Sequence, residues 1–428
     1  MNSRQRVSQA LNHLETDRIP LDLGGTPVTG MHASSVYRLR QALGLDSPGE
    51  PVKIINIYQM LGEIKPDLMD ALGVDVVALR SPQNSFGIQN EGWKSWALFD
   101  GTPVLVPEGF NMAPEPNGDL LIYPQGDRSV PPSGRMPEGG YYFDAIIRQP
   151  PVDDAQLNVE DNLEEFQPLP DETLTYYRIE CERLYTETDK AIIANIGGTG
   201  FGDIALVPAT HLKYPKGIRD IEEWYISTAT RQDYLYRVFE RQCEIALHNL
   251  ERFHKAVGER VTAIFLSGTD FGGQNSLLVS PRVYRKLYQP FQKQLNDWVH
   301  AHTPWKTFIH TDGAIRALIP DLIEAGFDIL NPLQWTAAGM DPAEIKNTFG
   351  QQLTFWGAGI DTQHTLPFGT PQAVSREVAR LVQTLGQGGG FVFSSVHNVQ
   401  ANVPVENLLA MLNTFRQAAA YPLLPVTD

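Results

Sequence analysis

A chain of 428 residues that is 42% hydrophobic has apolar material for one large α/β core or two smaller ones, which excludes a disordered chain. A formal net charge of -16 argues against a nucleic-acid backbone or an anionic bilayer as the main partner. Only Cys181 and Cys243 are present, both in helical patterns, so a disulfide framework and a cysteine-rich zinc site are excluded; any metal must use histidine, carboxylate or water.

The chain opens on Met1-Asn2-Ser3-Arg4-Gln5-Arg6-Val7, the start of an amphipathic helix without the apolar centre of a signal peptide. No later segment is long and uncharged enough to span a bilayer, and the expectation is a soluble, cytoplasmic protein. Eight segments have the composition of short buried strands: 19–23, 74–79, 191–196, 261–266, 306–310, 329–332, 353–357 and 391–395. Helical patterns separate most of them. Ser280-Pro281 starts one running to about His302, the run 314–325 is closed by Gly326, and Thr370-Pro371 starts another running to about Leu385.

Alternating strands and helices imply a parallel sheet, and eight strands imply a closed (β/α)8 TIM barrel with its active site at the C-terminal strand ends. Polar clusters fall at those ends: Gly24-Gly25, 267–274, 310–313, Gln334-Trp335, 361–363 and His397-Asn398. From about residue 84 to 150, Gly, Pro, aromatics and short alternating runs replace the helical pattern. This stretch is expected to be a β-meander inserted after the second strand of a single barrel domain spanning 1–428. Its role is a lid or pocket wall, with a packing or homo-oligomer surface as the alternative.

Three metal-ligand types stand out. Side-chain alternation puts His310 and Asp312 of Lys306-Thr307-Phe308-Ile309-His310-Thr311-Asp312-Gly313 on one face, and His397 ends the last apolar run. Two imidazoles and a carboxylate hold a divalent ion and leave positions open. The alternative is that both histidines make ordinary hydrogen bonds while Asp312 caps a helix beginning near Ala314.

The series Ser3-Arg4-Gln5-Arg6-Val7, Gly268-Thr269-Asp270-Phe271-Gly272-Gly273-Gln274, His310-Thr311-Asp312-Gly313, Ile329-Leu330-Asn331-Pro332, and His397 ahead of Pro404-Val405-Glu406-Asn407 resembles the uroporphyrinogen decarboxylase superfamily, in particular its corrinoid-linked methyltransferase branch. The resemblance implies a zinc site like that of the thiol-methylating members, which hold zinc with a His-x-Cys pair and a later cysteine. Here His310 matches the histidine, while Asp312 and His397 stand where the cysteines would be. It also implies a corrinoid carried by a partner protein. Replacing two thiolates by a carboxylate and an imidazole makes the centre harder and more Lewis-acidic toward oxygen, which suits removal of a methyl group from an oxygen-bearing donor such as a methoxylated aromatic.

Around this centre, Asp270 and Gln274 are assigned to orienting substrate or supporting a ligand, and Asp361 to carrying a proton. Asn331 and Gln334 are assigned to hydrogen-bonding substrate, and Trp335 and Trp356 to an aromatic wall. Three other readings stay open. A tetrapyrrole decarboxylase needs cationic groups, yet no arginine follows the first strand in Asp22-Leu23-Gly24-Gly25-Thr26-Pro27-Val28. A non-haem iron oxygenase would use the same three ligands as a facial triad. A non-catalytic binding protein on the same barrel would leave the strand ends without metal.

Overall fold

The computed structural model describes residues 1–423. Seven parallel strands form one curled sheet, in spatial order Phe391–Val392, Thr354–Trp356, Ile329–Asn331, Lys306–His310, Ala263–Ser267, Ala191–Ala194 and Val76–Leu79. The eighth stave is residues 19–23, which lies between the two sheet edges as a single bridge from Leu21 to Phe393. Asp22 N–H donates to Phe393 O at 2.8 Å, Phe393 N–H donates to Pro20 O at 2.9 Å, and Asp75 N–H donates to Leu21 O at 2.8 Å. The fold is therefore the expected α/β barrel, closed through one short seam.

The seam is short for local chemical reasons. Pro20 has no N–H to give a ladder, and Leu21 N–H is taken by the Asp75 carboxylate at 2.9 Å. Asp75 is in turn gripped by Arg6 Nη1 at 2.6 Å and Arg18 Nη1 at 2.7 Å. Arg6 also pairs with Asp17 at 2.7 Å, so the opening helix Ser3–Leu11 is fastened to the N-terminal end of the barrel.

Strand residues alternate between two cores. Phe265, Phe308, Ile329, Trp356 and Val392 belong to the cluster that fills the barrel, and Ile264, Ile309, Leu330 and Phe355 belong to the larger cluster packed under the helices. Both faces of the sheet are thus buried, which is why these strands are continuous apolar runs.

Some boundaries differ from expectation. The helix expected from 280 to 302 is two, Pro281–Leu287 and Gln289–His302, because Pro290 lacks an N–H and its ring crowds the preceding turn. The helix expected from 314 begins only at Ile319 and ends at Glu324, with Pro320 in its first turn. Pro371–Gly386 forms as expected, with the Thr370 hydroxyl accepting from Ala373 N–H.

Between Val76–Leu79 and Ala191–Ala194 the chain builds two small sheets in place of a single meander. One is antiparallel: Ala113–Pro114, Leu120–Ile122, Gly134–Met136, Asp144–Ala145. The other pairs Lys94–Ala97 and Pro103–Val106 with Val52–Asn56, a strand that precedes the barrel strand Val76–Leu79. Val52 and Ile54 are buried on one strand and Val104 and Val106 on the other. Among the described residues no helix is long and apolar enough to cross a membrane.

Candidate metal centre

His310 is the last residue of its strand and is buried. Its neighbour Asn331, the last residue of the adjacent strand, fixes the ring. Asn331 Nδ2 donates to Trp356 O at 2.7 Å, a carbonyl that can only accept, so Asn331 Oδ1 faces His310 Nδ1 at 2.7 Å. His310 Nδ1 must therefore carry a hydrogen, and Nε2 is the atom left to point elsewhere.

Asp312 lies beyond the strand and is placed by a loop rather than by the pleat. Its N–H donates to Asp270 Oδ1 at 2.8 Å, and the next N–H, of Gly313, donates to Gln334 Oε1 at 2.7 Å. Gly313 adopts φ +89°, and a side chain there would meet Gly272 backbone at 2.4 Å. Only glycine permits this packing of the 272–273 turn on the 312–314 turn. No helix starts at Ala314, so Asp312 is not a helix cap.

His397 arrives from the turn after Phe391–Val392. Its ring centroid is 5.6 Å from that of His310. His310 Nε2 and Asp312 Oδ2 are 3.8 Å apart, and one ligand atom from each of His310, Asp312 and His397 lies within 4.8 Å of the others. The donors fit a divalent ion in kind. Asp312 Oδ1 is buried with no hydrogen-bond partner among the described residues, a cost that a cation would relieve. Four-coordinate zinc spaces its donors about 3.4 Å apart, so the three groups must close in by roughly an ångström.

The electrostatics favour positive charge at the same point. Burial works to lower the pKa of His310, but Asp312, Asp270, the Asn331 bond and Asp203 together raise it above its ordinary value. His397 has less support, and burial pulls it down to about 4, leaving a neutral imidazole suited to a ligand. Burial raises the Asp270 carboxyl, helped by Asp312 and opposed by His310 and the Asp312 N–H.

The three residues stand on the wall of a cavity of about 480 Å³ at the C-terminal strand ends. Asp270 also lines it, and Asn84, Ser85 and Asn90 bring the segment after Val76–Leu79 into the wall. Several residues assigned to the site from sequence lie elsewhere. Gln274 is exposed and binds Thr336 O and Gln334, holding two turns together. Asp361 accepts from the N–H groups of Gln363, His364 and Thr365, which caps the short helix Thr365–Phe368. Trp356 fills the barrel, its Nε1 donating to Asp22 at 2.8 Å and its ring edge-on to Phe308. Trp335 packs outside the cavity with Arg380 over its ring. Asn331 and Gln334 act on His310 and Gly313 rather than on the cavity.

Two cavity residues were not anticipated. Asp203 is raised to about 7 by burial and Asp270, against Ala205 N–H and His310. Glycines 200 and 268 leave it room; a side chain at Gly268 would meet Asp203 Oδ2 at 2.7 Å. The signal was the run Gly197-Gly198-Thr199-Gly200-Phe201-Gly202-Asp203 directly after a strand. Arg80 likewise follows Val76–Leu79 immediately.

Among solved structures, a methyltransferase from Methanosarcina mazei superposes with a TM-score of 0.52 over 97% of this chain and 99% of its own, at 14% identity, a likeness of fold. Among sequences, uroporphyrinogen decarboxylases are similar: that of Synechococcus sp. is 23% identical over 65% of this chain and 72% of its own length. Those of Shewanella halifaxensis and Pseudomonas fluorescens are 20% and 29% identical over 46% and 24% of this chain, which spans only 57% and 27% of their lengths. The profile of the uroporphyrinogen decarboxylase (URO-D) family matches residues 147–418, well over half of the sequence, and the chain belongs to that family.

Proposed function

We propose that this member of the family is a metal-dependent methyltransferase that takes a methyl group from an oxygen-bearing donor, a methoxylated aromatic, and delivers it to a cobalt(I) corrinoid carried by a partner protein. The observation that carries this reading is the donor set on the cavity wall, two imidazoles and one carboxylate with no thiolate. His310, Asp312 and His397 would hold the ion, zinc by preference. Bound there, it supplies Lewis acidity toward an oxygen.

The protein's own part is orientation and proton supply. Asn331 holds the His310 ring, and Asp270 and Gln334 hold the Asp312-Gly313 turn. Loss of the methyl group would leave the C–O electron pair on the donor oxygen, which would then take a proton. Asp203, in the same cavity and titrating near neutrality, is placed to give it from its carboxyl group. Segment 84–90 closes one side and limits water.

A second reading, decarboxylation of a tetrapyrrole, draws support from the relatives' own activity. The cavity's charge opposes it: among the described residues its wall carries Asp203, Asp270 and Asp312 against one arginine or lysine, Arg80, an unsuitable lining for a polycarboxylate. Elemental analysis followed by anaerobic assay separates the readings. The expected result is stoichiometric zinc and demethylation of methoxyarenes by cobalt(I) cobalamin without oxygen. Methylation of small thiols from methylcobalamin with no activity on any oxygen donor would refute the direction of transfer. Bound iron with strict oxygen dependence would establish an oxygenase, and a metal-free, inert protein a binding function.

A further inference from the structure

Among the described residues Arg80 is the only arginine or lysine on the wall of the cavity that His310, Asp312 and His397 line. Its Nη2 donates to Gly24 O at 3.0 Å, and Gly24 lies on the same wall; Arg80 also borders a second cavity, which it shares with Glu63 and Glu180. A guanidinium offers five donors, and Arg80 uses one. Among the described residues no carboxylate comes within 4.0 Å of it.

Arg80 is half-buried, and the other arginines withdrawn from solvent are treated differently. Arg6 pairs with Asp17 and Asp75, Arg40 with Asp46 and Asp67, and Arg219 with Glu164 and Glu165. Arg148 spends its donors on the carbonyls of Ala209, Leu212 and Lys213. The nearby Asp22 does not compensate Arg80, because its oxygens accept from Gly25 N–H at 2.7 Å and Trp356 Nε1 at 2.8 Å. Burial presses the Arg80 guanidinium below its ordinary value; Glu63, Glu180 and Asp22 oppose this only from a distance. A half-buried cation without an ion pair is open to an anion brought from outside.

The cavity wall therefore carries both signs of charge. Three aspartates gather near His310 and His397, and the lone cation stands beside Gly24 after a different strand. A ring with a carboxylate at one end and a methoxy group at the other is drawn to lie with its carboxylate on Arg80 and its ether toward the metal ligands.

We propose that Arg80 is the anchor for a substrate carboxylate, taken as a bidentate pair, so that the preferred methyl donor is a methoxylated aromatic acid rather than a neutral methoxyarene. The methoxy half of this assignment rests on the demethylase reading above; the carboxylate half does not.

Calorimetric titration of the purified protein with benzoate, and with benzyl alcohol as a neutral ring of similar size, tests the anchor without any turnover. Wild type should bind benzoate about 10- to 100-fold more tightly. Arg80→Met should erase that preference and leave benzyl alcohol binding unchanged, whereas Arg80→Lys should keep part of it. Benzoate binding no tighter than benzyl alcohol in wild type overturns the proposal, and that comparison needs no variant. A preference that survives in Arg80→Met with an unchanged melting temperature also overturns it, since the carboxylate would then sit on the metal. Assays with 4-methoxybenzoate and 4-methoxybenzyl alcohol keep the two ideas apart. Equal demethylation of both sinks the carboxylate preference and leaves the demethylase standing. Arg80-dependent benzoate binding with neither compound demethylated sinks the demethylase and leaves the anchor standing.

Discussion

Replacing Asn331 by leucine removes one side chain that does two things at a fully buried site. Its amide donates to Trp356 O and accepts from His310 Nδ1, both at 2.7 Å. Leucine is close in volume, so the loss is polar rather than a cavity. Two buried groups are left unpaired at about 1–3 kcal/mol each. A chain of 428 residues unfolds with an entropy of roughly 0.9 kcal/mol per degree, so its melting temperature should fall about 2–7 °C. The His310 ring also loses the bond that fixes its hydrogen on Nδ1, and zinc should bind about 10- to 100-fold more weakly. Asn331→Asp keeps the acceptor and loses the donor; it should melt lower yet hold zinc about as well as wild type. Competition against a chromophoric chelator gives the affinity, and scanning calorimetry with chelator present gives the metal-free stability. If Asn331→Leu melts lower but binds zinc as tightly as the parent, Asn331 merely ties two strand ends and the account of His310 is wrong.

Gly313→Ala should lower the melting temperature severely or prevent soluble expression, because its Cβ would lie 2.4 Å from Gly272 backbone; Gly339→Ala, at φ +72° with nothing within 4 Å, should cost only about 1–2 kcal/mol. Asp312→Ala should abolish zinc retention in elemental analysis, while Asp312→Cys should retain zinc and demethylate more slowly, since the added thiolate softens the Lewis acid; a fast Cys variant would contradict that reasoning. Burial raises Asp22 from 3.8 to about 6 despite bonds from Thr29, Trp356 and Gly25. Its contribution is fully present below the unfolded value of 3.8 and is lost as pH rises through about 6, so Asp22→Asn should gain up to about 3 kcal/mol relative to wild type between pH 4 and pH 7. A difference independent of pH would show that Asp22 ionises normally.

The barrel strands were legible because a sheet buried on both faces needs uninterrupted apolar runs, and 191–196 or 306–310 have no other use for theirs. The seam was not: that Pro20 withholds a donor can be read from the sequence, but that Asp75 takes the N–H of Leu21 depends on Arg6 and Arg18 meeting it from elsewhere. Likewise Val104 and Val106 show a strand, and nothing local says that its partner is Val52–Asn56. At the site, residue types and strand-end positions single out His310, Asp312 and His397, but strand alternation is the wrong reason for the approach of Asp312, which depends on the contact between Gly272 and Gly313. Gln274, Asp361 and Trp356 show the opposite error. Polar or aromatic residues at strand ends also serve to bind turns and fill the barrel, and only packing tells these uses apart.

The seam has a bearing on how the molecule is made. Gly30 N–H meets Asn398 Oδ1 and Trp356 meets Asp22 across sequence separations of 368 and 334 residues. A ribosome must release the chain through Phe393 before the first stave finds its second neighbour, and until then the nascent sheet carries an open edge. His397 comes from the same later segment, so the three candidate ligands are not complete until that segment has been made. An ion held by His310, Asp312 and His397 would link the strand of His310 to the turn beside the seam. Release of a metal and parting of 19–23 from 391–399 should then be coupled, with amides of both segments exchanging with solvent sooner in chelator-treated protein.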